Sequence, residues 1–285
     1  STSRQHQARV GESHRLPALR VASAMNGTDG AADADPNDEI ATIVDGFLAI
    51  QAHTAIAQNR PLRRGTHAKG TCIKAVFEVL NVNVGRDKHL ATRLAQGVFA
   101  QPGTYAATLR FSNSDPSINS DWSPDLRALS IAVDLGMDAA DDPGHGVTRQ
   151  DFSLLSSPTL SFNNLEDFFV FAKVNKAPSE AAALAALPFR DQQTYARVSR
   201  ATNRAQRQAI QPYQQLRYWS TVAFRHGTAD IVKFAASPAA HNPVAAPDRR
   251  SPNALADELK RHLDEDAVMS TFDSGVQLLD IENNT

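Results

Sequence analysis

The stretch Cys72-Ile73-Lys74-Ala75-Val76-Phe77-Glu78-Val79-Leu80 decides the fold class. It is rich in β-branched and aromatic residues and alternates apolar with polar side chains, the period of a strand packed on one face. Moving outward, Tyr105–Ser112 repeats the pattern, Leu126–Leu135 gives a third strand and Asp151–Leu155 begins a fourth. A block rich in Ala, Leu, Gln and Arg then interrupts, with helical spacing over Leu165–Val174, Ser179–Leu187 and Asp191–Gln208. Strand chemistry returns at Tyr218–Phe224, Asp230–Ala236 and Ser270–Ile281. The expected fold is therefore α+β: an antiparallel β-barrel with a helical insertion and flanking helices.

The remaining segments frame that core. Ile40, Ile43, Val44, Phe47, Leu48 and Ile50 recur at three- and four-residue spacing, which predicts a helix opening near Asn37. Asp87–Phe99 predicts a short amphipathic helix, and Ser251-Pro252 opens another that runs through Leu255, Leu259 and Leu263. Residues 1–36 show no periodicity and read as an extended or disordered arm, while 37–285 form the barrel domain. An arm that wraps a partner subunit, forming a homo-oligomer, would have the same composition, and the sequence does not separate these two readings.

Composition removes several classes of function. The chain has 285 residues, 42% hydrophobic and 21% charged, with a formal net charge of −2. It can bury a large core, and it lacks the basic stripe of a nucleic-acid binder. Its single cysteine, Cys72, excludes an intrachain disulfide and any multi-cysteine metal site, and suits a cytoplasmic setting. Charged or amide residues interrupt each apolar run, so no membrane span is expected. Arg20 breaks Leu16–Met25 as a signal core, and Ser1 in place of Met points to processing or trimming. Phosphate-loop and nucleophile-elbow motifs are absent. Glu258 and His262, four residues apart on a helix, read as a solvated face for want of a third ligand.

One segment is more specific. Arg63-Arg64-Gly65-Thr66-His67-Ala68-Lys69-Gly70, leading to Phe77-Glu78-Val79, resembles the first barrel strand of the catalase superfamily. Three further blocks follow in the family's order. Leu109-Arg110-Phe111-Ser112-Asn113 is similar to its Arg-Phe-Ser strand, and Pro124–Ile131 to its Pro-Asp-x-Arg-Gly-x-Ala strand. Ile231-Val232-Lys233-Phe234 is similar to its later Val-Lys-Phe/Tyr element. The resemblance spans roughly residues 40–281, to a small bacterial-type haem protein with some likeness to the allene oxide synthase branch.

That resemblance implies haem b (iron protoporphyrin) as cofactor and a peroxide or organic hydroperoxide as substrate. It makes His67 the distal acid–base group, since a neutral imidazole can take a proton from one peroxide oxygen and deliver it to the other. Ser112 becomes the residue that fixes the imidazole tautomer. Arg64 and Arg110 become propionate partners, where a planar guanidinium pairs with carboxylate. Phe111, Arg127 and Phe168 are carried over as further cofactor contacts. The expected activity is haem-dependent and peroxidase-like, weakly catalatic.

Departures from the family pattern qualify that expectation. Ser156 stands where catalases carry an asparagine, and Thr66 stands where they carry valine. A threonine there is shared with enzymes that rearrange or cleave lipid hydroperoxides, the runner-up activity. A haem-free or non-enzymatic binding protein on the same barrel is the third reading. The family's proximal ligand is a tyrosine in Arg-x-x-x-Tyr on a helix after the last strand. No tyrosine here has arginine four residues before it, so the metal ligand is unknown. Against the family pattern the last strand and proximal helix are missing at Thr285, so either the molecule continues beyond it or this is a reduced member with another ligand or no haem; the open barrel edge makes continuation the expectation.

Overall fold

The computed structural model describes residues 7–8, 36–81, 87–136, 148–175, 177–240, 242, 245–264 and 269–279. Most of the expected arm lies outside the described residues, which include only Gln7, Ala8 and Pro36 of it. Of the Pro/Ala-rich stretch 237–251, residues 237–240, 242 and 245–251 are described.

The architecture is α+β, as the patterning requires. Helix α1 (Pro36–Ala57) leads into strand β2 (Gly70–Val79). Helix α2 (Lys88–Leu94) follows, capped where Asp87 accepts a hydrogen bond from the Leu90 N–H, and a single 3-10 turn covers Gly97–Phe99. Strands β3 (Gly103–Asn113), β4 (Arg127–Asp134) and β5 (Arg149–Leu155) come next. The helical insertion is α3 (Leu165–Asn175), α4 (Glu180–Ala185) and α5 (Phe189–Gln206). The chain then forms β6 (Tyr218–Ser220), β7 (Phe224–His226), β8 (Asp230–Pro238), α6 (Ala254–Asp264) and β9 (Phe272–Leu278).

Strands β2 to β9 make one antiparallel sheet in the order β2-β3-β4-β5-β6-β8-β7, with β9 also on β8. A two-residue strand β1 (Gln7–Ala8) lies parallel to β2. The hydrogen-bonded ladder is not closed: among the described residues no pairing joins β2 to β9. A closed barrel is thus not formed by backbone pairing. The expected strand Tyr218–Phe224 is also two strands. Ser220 Oγ donates to the Val222 carbonyl and accepts from the Phe234 N–H, which breaks the ladder between them.

Alternation sorts each strand. Ala107, Leu109 and Phe111 of β3 enter the core, where Phe111 stacks on Tyr213 at 5.1 Å and Phe77 on Phe152 at 5.9 Å. Arg110 and Ser112 alternate with them onto the other side of β3. Antiparallel register sets Gly70 opposite Ser112 and Cys72 opposite Arg110, so the end of β2 and the end of β3 share one corner. Helix α1 does not bury the row its spacing displays. Ile50 is buried, whereas Ile40, Val44 and Leu48 are exposed. The segment Ile40–Ala57 is one helix long and apolar enough, by length and composition, to cross a membrane. Its Gly46 and Phe47 instead pack on α3.

Candidate active site

The corner where β2 meets β3 carries the candidate site, and the loop from Arg60 to Lys69 delivers its histidine. Close approach dictates two glycines. A Cβ on Gly65 would fall 2.3 Å from the Phe47 carbonyl oxygen, and one on Gly70 would fall 2.6 Å from that of Phe111. His67 itself adopts a left-handed backbone at φ 53°, a conformation that costs energy for a side-chain-bearing residue. The fold secures it from both sides. Its N–H donates to the Ser114 carbonyl at 3.1 Å, and its carbonyl accepts from Arg110 Nη2 at 2.6 Å.

The His67 ring is half-buried, with Nδ1 3.2 Å from Ser112 Oγ. Its pKa is lowered to about 4, first by burial, then by the Arg110 guanidinium, with Arg64 adding to both; a hydrogen bond with the Asn113 backbone opposes them. The imidazole is therefore uncharged at neutral pH. Arg110 is itself held below the ordinary arginine value by burial and by Arg64. Neither arginine pairs with a carboxylate among the described residues. Two neighbouring cations without an anion, beside a neutral imidazole, form a site suited to an anionic ligand.

Other sequence-derived residues fall differently. Thr66 is half-buried next to His67. Phe168 lies on α3 against Phe47 at 5.8 Å and Phe162 at 4.1 Å, so it shares with Gly65 the surroundings of Phe47. Phe111 is 1% exposed inside the sheet core and is not available to a cofactor. Arg127 is buried, and its Nη2 donates to the Asp121 carbonyl at 2.7 Å, an anchoring role for the loop before β4. Ser156 is committed elsewhere. Its Oγ accepts from the Arg127 N–H at 2.9 Å and its N–H donates to the Arg127 carbonyl at 2.7 Å, extending the β4–β5 pairing. Glu258 and His262 are buried rather than solvated; Glu258 accepts from Arg261 and the Ala245 N–H. Among the described residues no three His, Cys, Asp or Glu are grouped to hold a metal ion.

A buried polar hub behind the site has no signature in the sequence. Lys69 Nζ pairs with Asp121 Oδ1 at 2.7 Å and donates to the carbonyls of Asn119 and Pro252. The same carboxylate accepts from Asn113 Nδ2 and the Leu255 N–H, while Tyr213 donates its hydroxyl to Asn113 Oδ1. The hub fixes the segment after His67 and the end of β3 in one frame. It also engages one of the four tyrosines. Two more are engaged elsewhere: Tyr218 donates to the Tyr213 carbonyl and Tyr195 to Glu180. Burial raises the pKa of Tyr195, Tyr213 and Tyr218.

No family model matches the chain, and no curated protein matches it.

Proposed function

We propose that this chain is a haem-dependent oxidoreductase acting on peroxides, peroxidase-like and weakly catalatic. One observation carries the reading: an uncharged imidazole with Nδ1 against Ser112, beside two guanidinium groups that no carboxylate neutralises among the described residues. The antiparallel sheet with helices inserted after β5 supports taking it as a catalase-type barrel left open at one seam.

Haem b carries two propionates, a dianion that suits the Arg64–Arg110 pair. Those arginines would hold the carboxylates, and Phe168 would offer an apolar surface to the ring. The group supplies the redox iron at which a peroxide O–O bond is cleaved. The chain's own contribution is proton handling. With Ser112 accepting from Nδ1–H, Nε2 of His67 would carry the lone pair available to a substrate. Nε2 takes the proton of the near peroxide oxygen and returns it to the far one, so that the departing oxygen leaves as water or alcohol. Burial, with the neighbouring cations adding to it, keeps the imidazole from storing a proton at rest.

Thr66 favours a second reading, rearrangement or cleavage of a lipid hydroperoxide, because its hydroxyl stands beside the same imidazole. Haemin titration followed in the Soret region tests the cofactor. Product analysis with hydrogen peroxide and with a fatty-acid hydroperoxide separates the two activities. A protein that binds no haem and turns over neither substrate contradicts both.

A further inference from the structure

The loop entering β4 and the segment leaving α5 enclose a cavity of about 240 Å³. Trp122, Pro124, Asp125 and Arg127 line it from the loop, and residues 206–211 with Leu216 complete the lining. Both sides are held in place. Gln208 Nε2 donates to the Ser156 carbonyl just past β5 at 2.8 Å. Trp122 Nε1 donates to the Ser251 carbonyl at 3.1 Å, and the Arg249 guanidinium stands 5.6 Å from the indole centre. A single water needs only about 10–15 Å³, so this space fits a small organic molecule.

The chemistry of the walls says which kind. Arg127 is 5% exposed, and its guanidinium is only partly used. Nη2 donates to the carbonyls of Asp121 and Ser123 at 2.7 and 3.5 Å. Nη1 is buried and has no hydrogen-bond partner among the described residues. Asp125 Oδ2 lies 3.9 Å from it, beyond hydrogen-bond reach. That carboxylate is engaged already, by Ser114 Oγ at 2.5 Å and by the Asp115 N–H at 3.1 Å. A buried cationic donor left without an acceptor is costly, and an orphan of this kind calls for a partner. Charge points the same way. Even with Asp125 ionised, Arg127 and Arg207 leave the lining one positive charge in excess. Trp122, Pro124, Ile210 and Leu216 supply apolar surface beside those charges.

We infer that this cavity is a binding site for a small organic monocarboxylate, its carboxylate taken by Arg127 and Arg207 and its apolar body by Trp122, Ile210 and Leu216. A guanidinium fork matches a carboxylate, and one negative charge balances the excess. Inorganic anions leave the apolar walls unused. None of the lining residues belongs to the Arg64–Arg110 corner, so this inference stands apart from the haem reading.

Titration calorimetry of the full chain with benzoate tests it, with benzyl alcohol and inorganic phosphate as controls. Benzoate is expected to bind once per chain, at least tenfold more tightly than either control. Arg127→Met should weaken binding at least tenfold, but it also removes the Nη2 bonds that anchor the loop. Two further variants leave that anchor intact. Ala209→Phe fills the cavity and Arg207→Glu reverses its excess charge, and each should weaken benzoate at least tenfold. Circular dichroism checks that every variant is folded. Absence of benzoate binding overturns the proposal, as does binding that either Ala209→Phe or Arg207→Glu leaves unchanged. Phosphate or benzyl alcohol binding as tightly as benzoate overturns the ligand class. Benzoate binding lost in Arg64→Ala places the anion at the His67 corner instead and overturns the site.

Discussion

Arg110 Nη2 donates to the His67 carbonyl at 2.6 Å, so one residue of β3 both fixes the strained backbone of the histidine and lowers the basicity of its ring. The two effects come from one guanidinium and can be separated by substitution. Arg110→Lys keeps a charge but loses the planar fork; Arg110→Ala loses both. The pKa of His67, followed by NMR, should rise toward 6.5 in Arg110→Ala and less in Arg110→Lys. Loss of the charge-assisted hydrogen bond should also cost about 1.5–3 kcal/mol of stability, measured by urea unfolding.

The depressed pKa of His67 has a signature in stability. The unfolded imidazole titrates near 6.5 and the folded one at about 4. Between those values the unfolded chain binds more protons, so this histidine lowers stability as pH falls from 6.5 toward 4 and leaves it flat above. His67→Asn should remove that part of the slope. An unchanged slope in the variant would show that His67 is not buried among cations as described.

Ser112→Ala should reduce peroxide turnover at least tenfold while leaving the fold intact, because the ring loses the partner that selects its tautomer. The Ser156→Ala variant should behave in the opposite way. Its hydroxyl serves the Arg127 N–H, so stability should fall by about 1–2 kcal/mol with little change in turnover. Paired melting and activity measurements on the two variants decide whether the site ends at Ser112 or extends to Ser156.

Asp121 is fully buried and balances Lys69. Asp121→Ala leaves that ammonium without its partner and should destabilise the chain by about 3–5 kcal/mol. Replacing both partners, Lys69→Met with Asp121→Leu, should cost less than the sum of the single changes. Chemical denaturation of the three variants measures the coupling.

Strands and helices were legible from period and composition because each segment from β2 to β5 obeys one pattern over its length. The nearness of His67 to Arg64, Arg110 and Ser112 was legible as well, since the corner joining β2 to β3 is built from two short blocks. What escaped was non-local. Lys69 and Asp121 lie 52 positions apart, and nothing in either neighbourhood announces the other. The contact of Phe47 with Phe168 depends on how α1 lies on α3. Periodicity showed that α1 has an apolar row but not whether any part of this chain covers it. The bond from the Arg127 N–H to the Ser156 hydroxyl was hidden for a related reason: a residue's position in a motif does not tell which backbone amide its hydroxyl will meet.

The central claim is that His67 handles a proton at a haem-loaded site, and one comparison tests it most directly. Wild type and His67→Ala are titrated with haemin, their haem content is fixed from the Soret band, and hydroperoxide turnover is measured at equal occupancy. The account predicts similar haem content in both and a fall in turnover of roughly 10²–10⁴-fold in the variant. Unchanged turnover at equal haem content, or no haem uptake by the wild type, would contradict it.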